Sequence, residues 1–383
     1  MAYTAVCDLL GIDTPVLGFN RSPGVVAEVT RAGGFGVLAA TAYLPDELDA
    51  TLTWIDEQVE GRPYGIDILV PEKTAPGDPA DLIASLRAQI PDEHRRFVAA
   101  LLDKYDIPHR PQSAERSADE QLVTLDASVI PALLDVAFSH PIRLVANALG
   151  TPPPDLVDRG KAEGVVVAAL VGKPEHARRQ LDAGVDLLIA QGYEAGGHTG
   201  TIATMILTPE IVAIAGGKPV LAAGGIATGR QMAAALALGA SGVWCGSVWL
   251  SSIEDITPQA IKQKFLRASS SDTLRSPTRT GKPARQLRSA WHDEWETANS
   301  PAPLPMPLQP MLVAEAWQRI DAAAAIGHSG AVELESFFIG QVVGGFAELR
   351  PAAEITRKLS EECDGCLTEL FALRQRVNQV IPT

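Results

Sequence analysis

Eight short runs that are apolar on both faces, with helix-like segments after them, predict an α/β fold: a (β/α)8 TIM barrel with a helical insertion and a C-terminal helical and extended extension. The strands are expected at residues 15–19, 35–39, 64–69, 142–146, 165–170, 187–191, 219–223 and 242–245. None alternates polar with apolar, as a half-exposed strand would. Helical patterns lie at 23–32, 45–60, 173–183 and 228–238. Several of these open with Pro in the first turn and stop before Gly, as at Ala183-Gly184 and Leu238-Gly239. Residues 71–128 break the period after the third strand. They are polar and rich in Pro, Arg and Glu, and are expected to form a helical insertion with 71–79 as its linker. The barrel thus spans residues 1–250. Residues 251–383 hold a basic arm, a Pro-rich stretch (SPAPLPMPLQP, 300–310) whose X-Pro steps exclude helix, and helices packing on the barrel.

Composition excludes several classes. The chain has 383 residues, 46% hydrophobic and 20% charged, too apolar for a disordered protein. Its net charge of −14 argues against a nucleic-acid partner. Four cysteines do not make a disulfide scaffold. The first residues lack a secretory pattern, and the longest apolar stretch, Val165 to Val171, is too short to span a bilayer. A soluble cytoplasmic protein with no membrane partner is expected; a homodimer is left open.

In a (β/α)8 barrel the chemistry sits at the carboxyl ends of the strands, and the last two loops often hold a phosphate. Here those loops carry Gly224-Gly225 after the seventh strand and Cys245-Gly246-Ser247 after the eighth. Their backbone N–H groups, with a helix N-terminus behind, suit a dianion. A tight turn is the plain alternative for either loop alone; the pair on adjacent strands favours phosphate. No GxGxxG follows the first strand, so a dinucleotide fingerprint is missing. The sixth strand runs into Gln191-Gly192-Tyr193-Glu194-Ala195-Gly196-Gly197-His198-Thr199-Gly200. A histidine among glycines is poorly suited to packing, and its ordinary pKa of about 6.5 fits acid–base work. Gln191 can offer its amide to a polar heterocycle.

The run AQGYEAGGHTG, together with AAGGIATG and the later CGS, resembles the nitronate monooxygenase (2-nitropropane dioxygenase-like) family, FMN-dependent barrel enzymes related to the FMN-containing enoyl-ACP reductase. The resemblance covers roughly residues 10–250. It implies FMN as cofactor and His198 as the catalytic acid–base residue beside the flavin. It implies flavin contacts at Gln191, Gly196 and Gly197, and a phosphate cradle of Gly224, Gly225, Cys245, Gly246 and Ser247. Gly18-Phe19-Asn20 would lie under the isoalloxazine. Two departures stand out. Asp67 occupies a place where the family often has Asn, so it must contact the flavin differently or be protonated. The first-strand segment reads Gly-Phe-Asn-Arg rather than the usual Pro-Met pair.

Other signals carry less. His292-Asp293-Glu294 and Cys363-Asp364-Gly365-Cys366 superficially suggest zinc, but they fall in unrelated segments, and no metal is expected. Trp291 and Trp295 are spaced to share a helix face, which favours packing over stacking on substrate. From Lys262 to Arg288 there are eight Lys or Arg against one acid, Asp272, a net +7. Such a run is either an intramolecular or solvated arm, or an anion site at the catalytic face that holds the phosphates of a CoA or carrier-protein substrate.

Two activities are therefore expected on a small-molecule substrate. The first is oxidation of nitronate or nitroalkane-type substrates with O2. The alternative is reduction or dehydrogenation of α,β-unsaturated acyl thioesters with NAD(P)H. A non-enzymatic FMN-binding protein fits a site-positioned histidine poorly.

Overall fold

The computed structural model describes residues 2–41, 43–70, 79–109, 129–148 and 150–380. At its centre, eight parallel strands close into a barrel. They are β1 (Val16–Asn20), β2 (Phe35–Ala39), β3 (Gly65–Ile68), β4 (Leu144–Asn147), β5 (Val166–Val171) and β6 (Leu187–Gln191). After a two-residue strand outside the barrel, β7 (Gly197–His198), come β8 (Val220–Ala223) and β9 (Gly242–Cys245), which closes on β1 through Val16↔Val243. Each of the eight apolar runs is a barrel strand.

The double-sided apolar character has a direct cause. Leu17, Phe35, Val37, Leu144, Val166, Leu187, Ile189, Leu221 and Trp244 fill the lumen as one cluster. Their neighbours in sequence, such as Leu38, Val145, Leu188 and Val243, pack outward in clusters shared with the helices. After β9 the chain makes only a 3-10 turn, Ser247–Ser251. The flank beside it is covered by the last helix, Ala352–Val380, whose Ile355, Leu359 and Cys363 share a cluster with Val25, Met232 and Trp249.

Insertion and extension form a second apolar cluster. Val98, Leu101 and Ile107 from the insertion meet Phe265, Trp291, Trp295, Trp317 and Ile320 from the extension. Arg319 reinforces the seam by donating to the carbonyls of Ile107 (2.7 Å) and Pro108 (3.0 Å). Trp291 and Trp295 do share a buried face, with ring centroids 6.1 Å apart. Within the 71–128 insertion, Pro79–Ala88 and Asp92–Lys104 are helices; the linker residues 71–78 and residues 110–128 lie outside the described residues.

The arm after β9 folds into a hairpin, β10 (Thr273–Ser276) and β11 (Ala284–Leu287), and β11 pairs antiparallel with β7. The segment expected to follow strand eight at the catalytic face is there. Among the described residues no helix is long and apolar enough to cross a membrane, and no group of three or more His, Cys, Asp or Glu could hold a metal ion.

Candidate active site

The carboxyl ends of β3, β6, β8 and β9 bring Asp67, Gln191 and the two glycine loops to one mouth of the barrel. The pleat decides which strand-end side chains enter it. On β3, Ile66 and Ile68 pack outward, so Asp67 between them faces the lumen side. It is 5% exposed, and no protein partner meets its carboxylate among the described residues. Burial pushes its pKa up to about 7. A carboxyl half protonated at neutral pH can donate as well as accept, which fits the departure from Asn seen in the sequence. Gln191 shares the inward phase of Leu187 and Ile189 and is half-buried. Phe19 stacks on Trp244 at 5.7 Å between ring centroids, flooring the mouth.

Two residues expected to touch a flavin turn the other way. The amide of Asn20 donates to Asp255 (3.0 Å), and its side-chain oxygen accepts from the N–H of Ser22 (2.7 Å). Cys245 packs into the outer cluster with Val16 and Trp249, where burial pushes its thiol up to about 12. Each is one position past an inward residue, Phe19 or Trp244, and the period-two pleat sends it outward. Only their backbones remain at the mouth.

The glycine loops form a donor-rich concavity. Gly224 (φ +96°) and Gly225 (φ +73°) adopt the left-handed region that favours glycine. The N–H groups of Gly224, Gly225, Gly246 and Ser247 meet no protein acceptor among the described residues. Farther along, the helix N-terminus is already engaged. Gln231 accepts from the N–H groups of Ala227 and Thr228, and Glu362 of the last helix accepts from Gly229 at 3.0 Å. An anion here would therefore rest on the loop N–H groups, not on the helix end. A cavity of about 570 Å³ opens beside them, lined by Gly225, Thr228, Val248, Gln341 and Arg350 among others.

Beyond β6, Glu194 braces the loop: its carboxylate accepts from the N–H and hydroxyl of Thr204, both at 2.9 Å. Its carbonyl accepts from Gln341, and Gly340 donates to the Ser247 hydroxyl (2.8 Å). Gly196 lies so close to Ile339 and Gly340 that an added Cβ would stand 2.9 Å from the Ile339 carbonyl carbon. His198 sits on β7 with its Nε2 2.9 Å from the Thr280 hydroxyl and its ring 6.4 Å from Phe338. It keeps solvent access, yet the protein crowded around the ring, and then the Lys282 ammonium, lower its pKa from the ordinary value. The shift favours the unprotonated ring, the form that can accept a proton. Sequence reasoning missed Glu194, Phe338 and Gly340 as site residues. The last two lie in the extension, and no local pattern marks them.

The basic stretch reaches this face, but seven of its eight cations are held within the chain. Lys262, Lys264, Arg267, Arg275, Arg279 and Arg285 donate to the carbonyls of Ser252, Val332, Gln263, Thr199, Ser336 and Tyr193, and Arg288 pairs with Asp293. Arg285 is buried and stacks on Tyr193 at 4.5 Å. Lys282 remains exposed. A free cationic arm for a phosphorylated tail is thus not what the fold builds. Arg285→Glu is accordingly expected to cost about 3–5 kcal/mol of stability, the cost of an unpaired buried charge, rather than to raise KM selectively. Urea unfolding checks this, and an unchanged midpoint would refute it.

A family model described as nitronate monooxygenase matches residues 8–362. Among curated relatives, the Mycobacterium tuberculosis protein Rv1533, whose monooxygenase name is provisional, is 50% identical over 374 residues, covering 97% of this chain and all of that one. A (3aS,4S,5R,7aS)-5-hydroxy-7a-methyl-1-oxo-octahydro-1H-indene-4-carboxyl-CoA dehydrogenase of the same organism is 30% identical, over 77% of this chain and 69% of its own. The solved nitroalkane oxidase from Streptomyces ansochromogenes superposes with a TM-score of 0.76 at 26% identity, covering 96% of this chain and all of that one.

Proposed function

Because the chain belongs to the nitronate monooxygenase family of oxidoreductases, we propose that it is an FMN-dependent enzyme that oxidises nitronate or nitroalkane-type substrates with O2. The observation that carries this reading is the shared barrel mouth. Glycine loops whose N–H groups, and a buried Asp67 whose carboxylate, meet no protein partner among the described residues, together with the His198 loop, all open at the carboxyl ends of the strands. The N–H groups of Gly224, Gly225, Gly246 and Ser247 would hold the phosphate. Asp67 and Gln191 would meet the polar edge of the ring system, and Gly196 and Gly197 would let the chain approach it. FMN, when bound, supplies the redox chemistry. With a nitroalkane, His198 would take the proton from the carbon beside the nitro group, and Phe338, its ring 6.4 Å from the imidazole, would line that side.

The acyl thioester reading rests on the relative whose name carries a CoA substrate; the arm lends it little, since seven of its eight cations are engaged within the chain, the exposed Lys282 being the exception. Cofactor released by heat is expected to co-elute with FMN; FAD, or a colourless protein, would overturn that assignment. Oxygen consumption with a nitroalkane, set against NAD(P)H consumption with an enoyl-CoA, separates the two activities. Uptake only in the second assay would reverse the order of the readings.

A further inference from the structure

We propose that Thr280 is a positioning residue that fixes the tautomer of His198, leaving the lone pair on Nδ1 to receive the substrate proton. The inference rests on the reading of His198 as the acid–base group. Thr280 Oγ1 lies 2.9 Å from His198 Nε2 and 3.0 Å from the carbonyl oxygen of Lys282. A hydroxyl has one proton, and a carbonyl can only accept. Both contacts are satisfied in one way: Oγ1–H donates to Lys282, and Nε2–H donates to Oγ1. Neutral imidazole carries a single N–H, so Nδ1 is then the basic nitrogen.

The hydroxyl is held by backbone rather than by a mobile side chain. Thr280 sits in the β10–β11 turn, whose outgoing strand pairs with the histidine's own strand through Ala284↔His198 and Arg285↔Gly197. The next residue, Gly281 (φ +77°), is wedged against the Pro-rich stretch. An added Cβ there would stand 2.3 Å from the Met306 nitrogen and 2.7 Å from the Leu304 oxygen. Its N–H donates to Pro277 (2.7 Å), closing the turn. Gln309 ties the two segments together, accepting from Leu304 N–H and donating to the Thr278 carbonyl. The arm and the Pro-rich stretch thus form a frame that presents one oxygen to one nitrogen. The charged neighbour acting on the ring is Lys282, which lowers its pKa and so favours the neutral form in which tautomer matters.

The test is nitrogen-15 NMR of histidine-labelled, flavin-loaded protein at neutral pH, with His198 identified by the signal missing from His198→Gln. The expected wild-type state is protonated Nε2 and bare Nδ1. Thr280→Ser should keep that state, whereas Thr280→Val should give a mixture of tautomers and lower kcat by roughly tenfold with KM little changed, the scale of a lost partner that orients a histidine. A wild-type Nδ1–H tautomer, or a valine variant with the wild-type tautomer, overturns the proposal. Should Thr280→Val fail to fold, the wild-type and serine spectra decide. Failure of the functional reading shows elsewhere, as full turnover in His198→Ala, and is distinguishable because the tautomer is read without turnover.

Discussion

In His198→Ala, turnover of the true substrate is expected to fall by about 10²–10⁴-fold, the contribution of a general acid–base group, while flavin content stays at the wild-type level. The two halves of this expectation have separate causes. The histidine stands on β7, outside the glycine loops, and shares no hydrogen bond with them. Removing it should not disturb a phosphate held by N–H groups of Gly224, Gly225, Gly246 and Ser247. Its basicity, by contrast, is what the surroundings tune. Burial first, and Lys282 second, lower its pKa from the ordinary value. A base must be unprotonated to act, so the rate of the wild type should rise with pH along an acid limb whose midpoint lies below the ordinary histidine value of about 6.5. Lys282→Gln removes one of the two causes, so its acid limb should move to higher pH. Steady-state rates across pH, with flavin absorbance as the loading control, provide the check. Near-wild-type turnover in His198→Ala would make it a loop residue only.

Asp67→Asn is expected to stabilise the flavin-free protein at alkaline pH, by an amount that vanishes in acid. In the fold the Asp67 carboxyl titrates at about 7, against 3.8 for an unburied aspartate. The folded state therefore holds its proton more tightly than the unfolded chain does. Below about pH 4 both states are protonated and nothing is lost. Between pH 4 and 7 the unfolded chain ionises freely while the buried group resists, so stability falls as pH rises. Above pH 7 the loss is complete, roughly 4 kcal/mol at about 1.4 kcal/mol per pKa unit, as an upper bound. Asparagine has nearly the same shape and never ionises. Urea midpoints of the two proteins should converge near pH 4 and separate by pH 8, with the variant higher. A pH-independent difference would mean that the carboxylate is solvated in the fold. If bound flavin donates to this carboxylate, the gap should narrow in the loaded protein.

Much of the fold was legible because a barrel strand must be apolar twice over. One face fills the lumen and the other receives a helix, so all eight runs stand out as mostly apolar segments, with Asp67, Arg143 and Gln191 as their polar members. The GYEAGGHTG loop and the two glycine turns were legible for a related reason: they are compositionally unlike anything packing requires. The same double-sided pattern hid the phase of each strand. Without alternation, no residue in LGFNR or GVWCG shows which side it takes. Asn20 and Cys245 were accordingly placed at the flavin, whereas the fold turns their side chains out to Asp255 and to Trp249.

What the sequence by itself determined is the scaffold and the inventory: eight strands, where their carboxyl ends fall, a histidine loop and glycine turns. Those depend on neighbours a few residues apart. Tertiary structure alone decided the register that sends Asp67 and Gln191 inward, because barrel closure sets the pleat of every strand at once. It alone decided that Thr280 meets His198 across 82 residues of chain, that Gly340 reaches Ser247 across 93, and that Glu362 engages Gly229 across 133. It also decided that seven of the eight cations in the run are internal fastenings, the exposed Lys282 being the exception, since a cation's partner is chosen by which acceptors the packed core brings within reach. Separations of that length leave no periodic trace, because only the packing of the whole barrel brings those segments together.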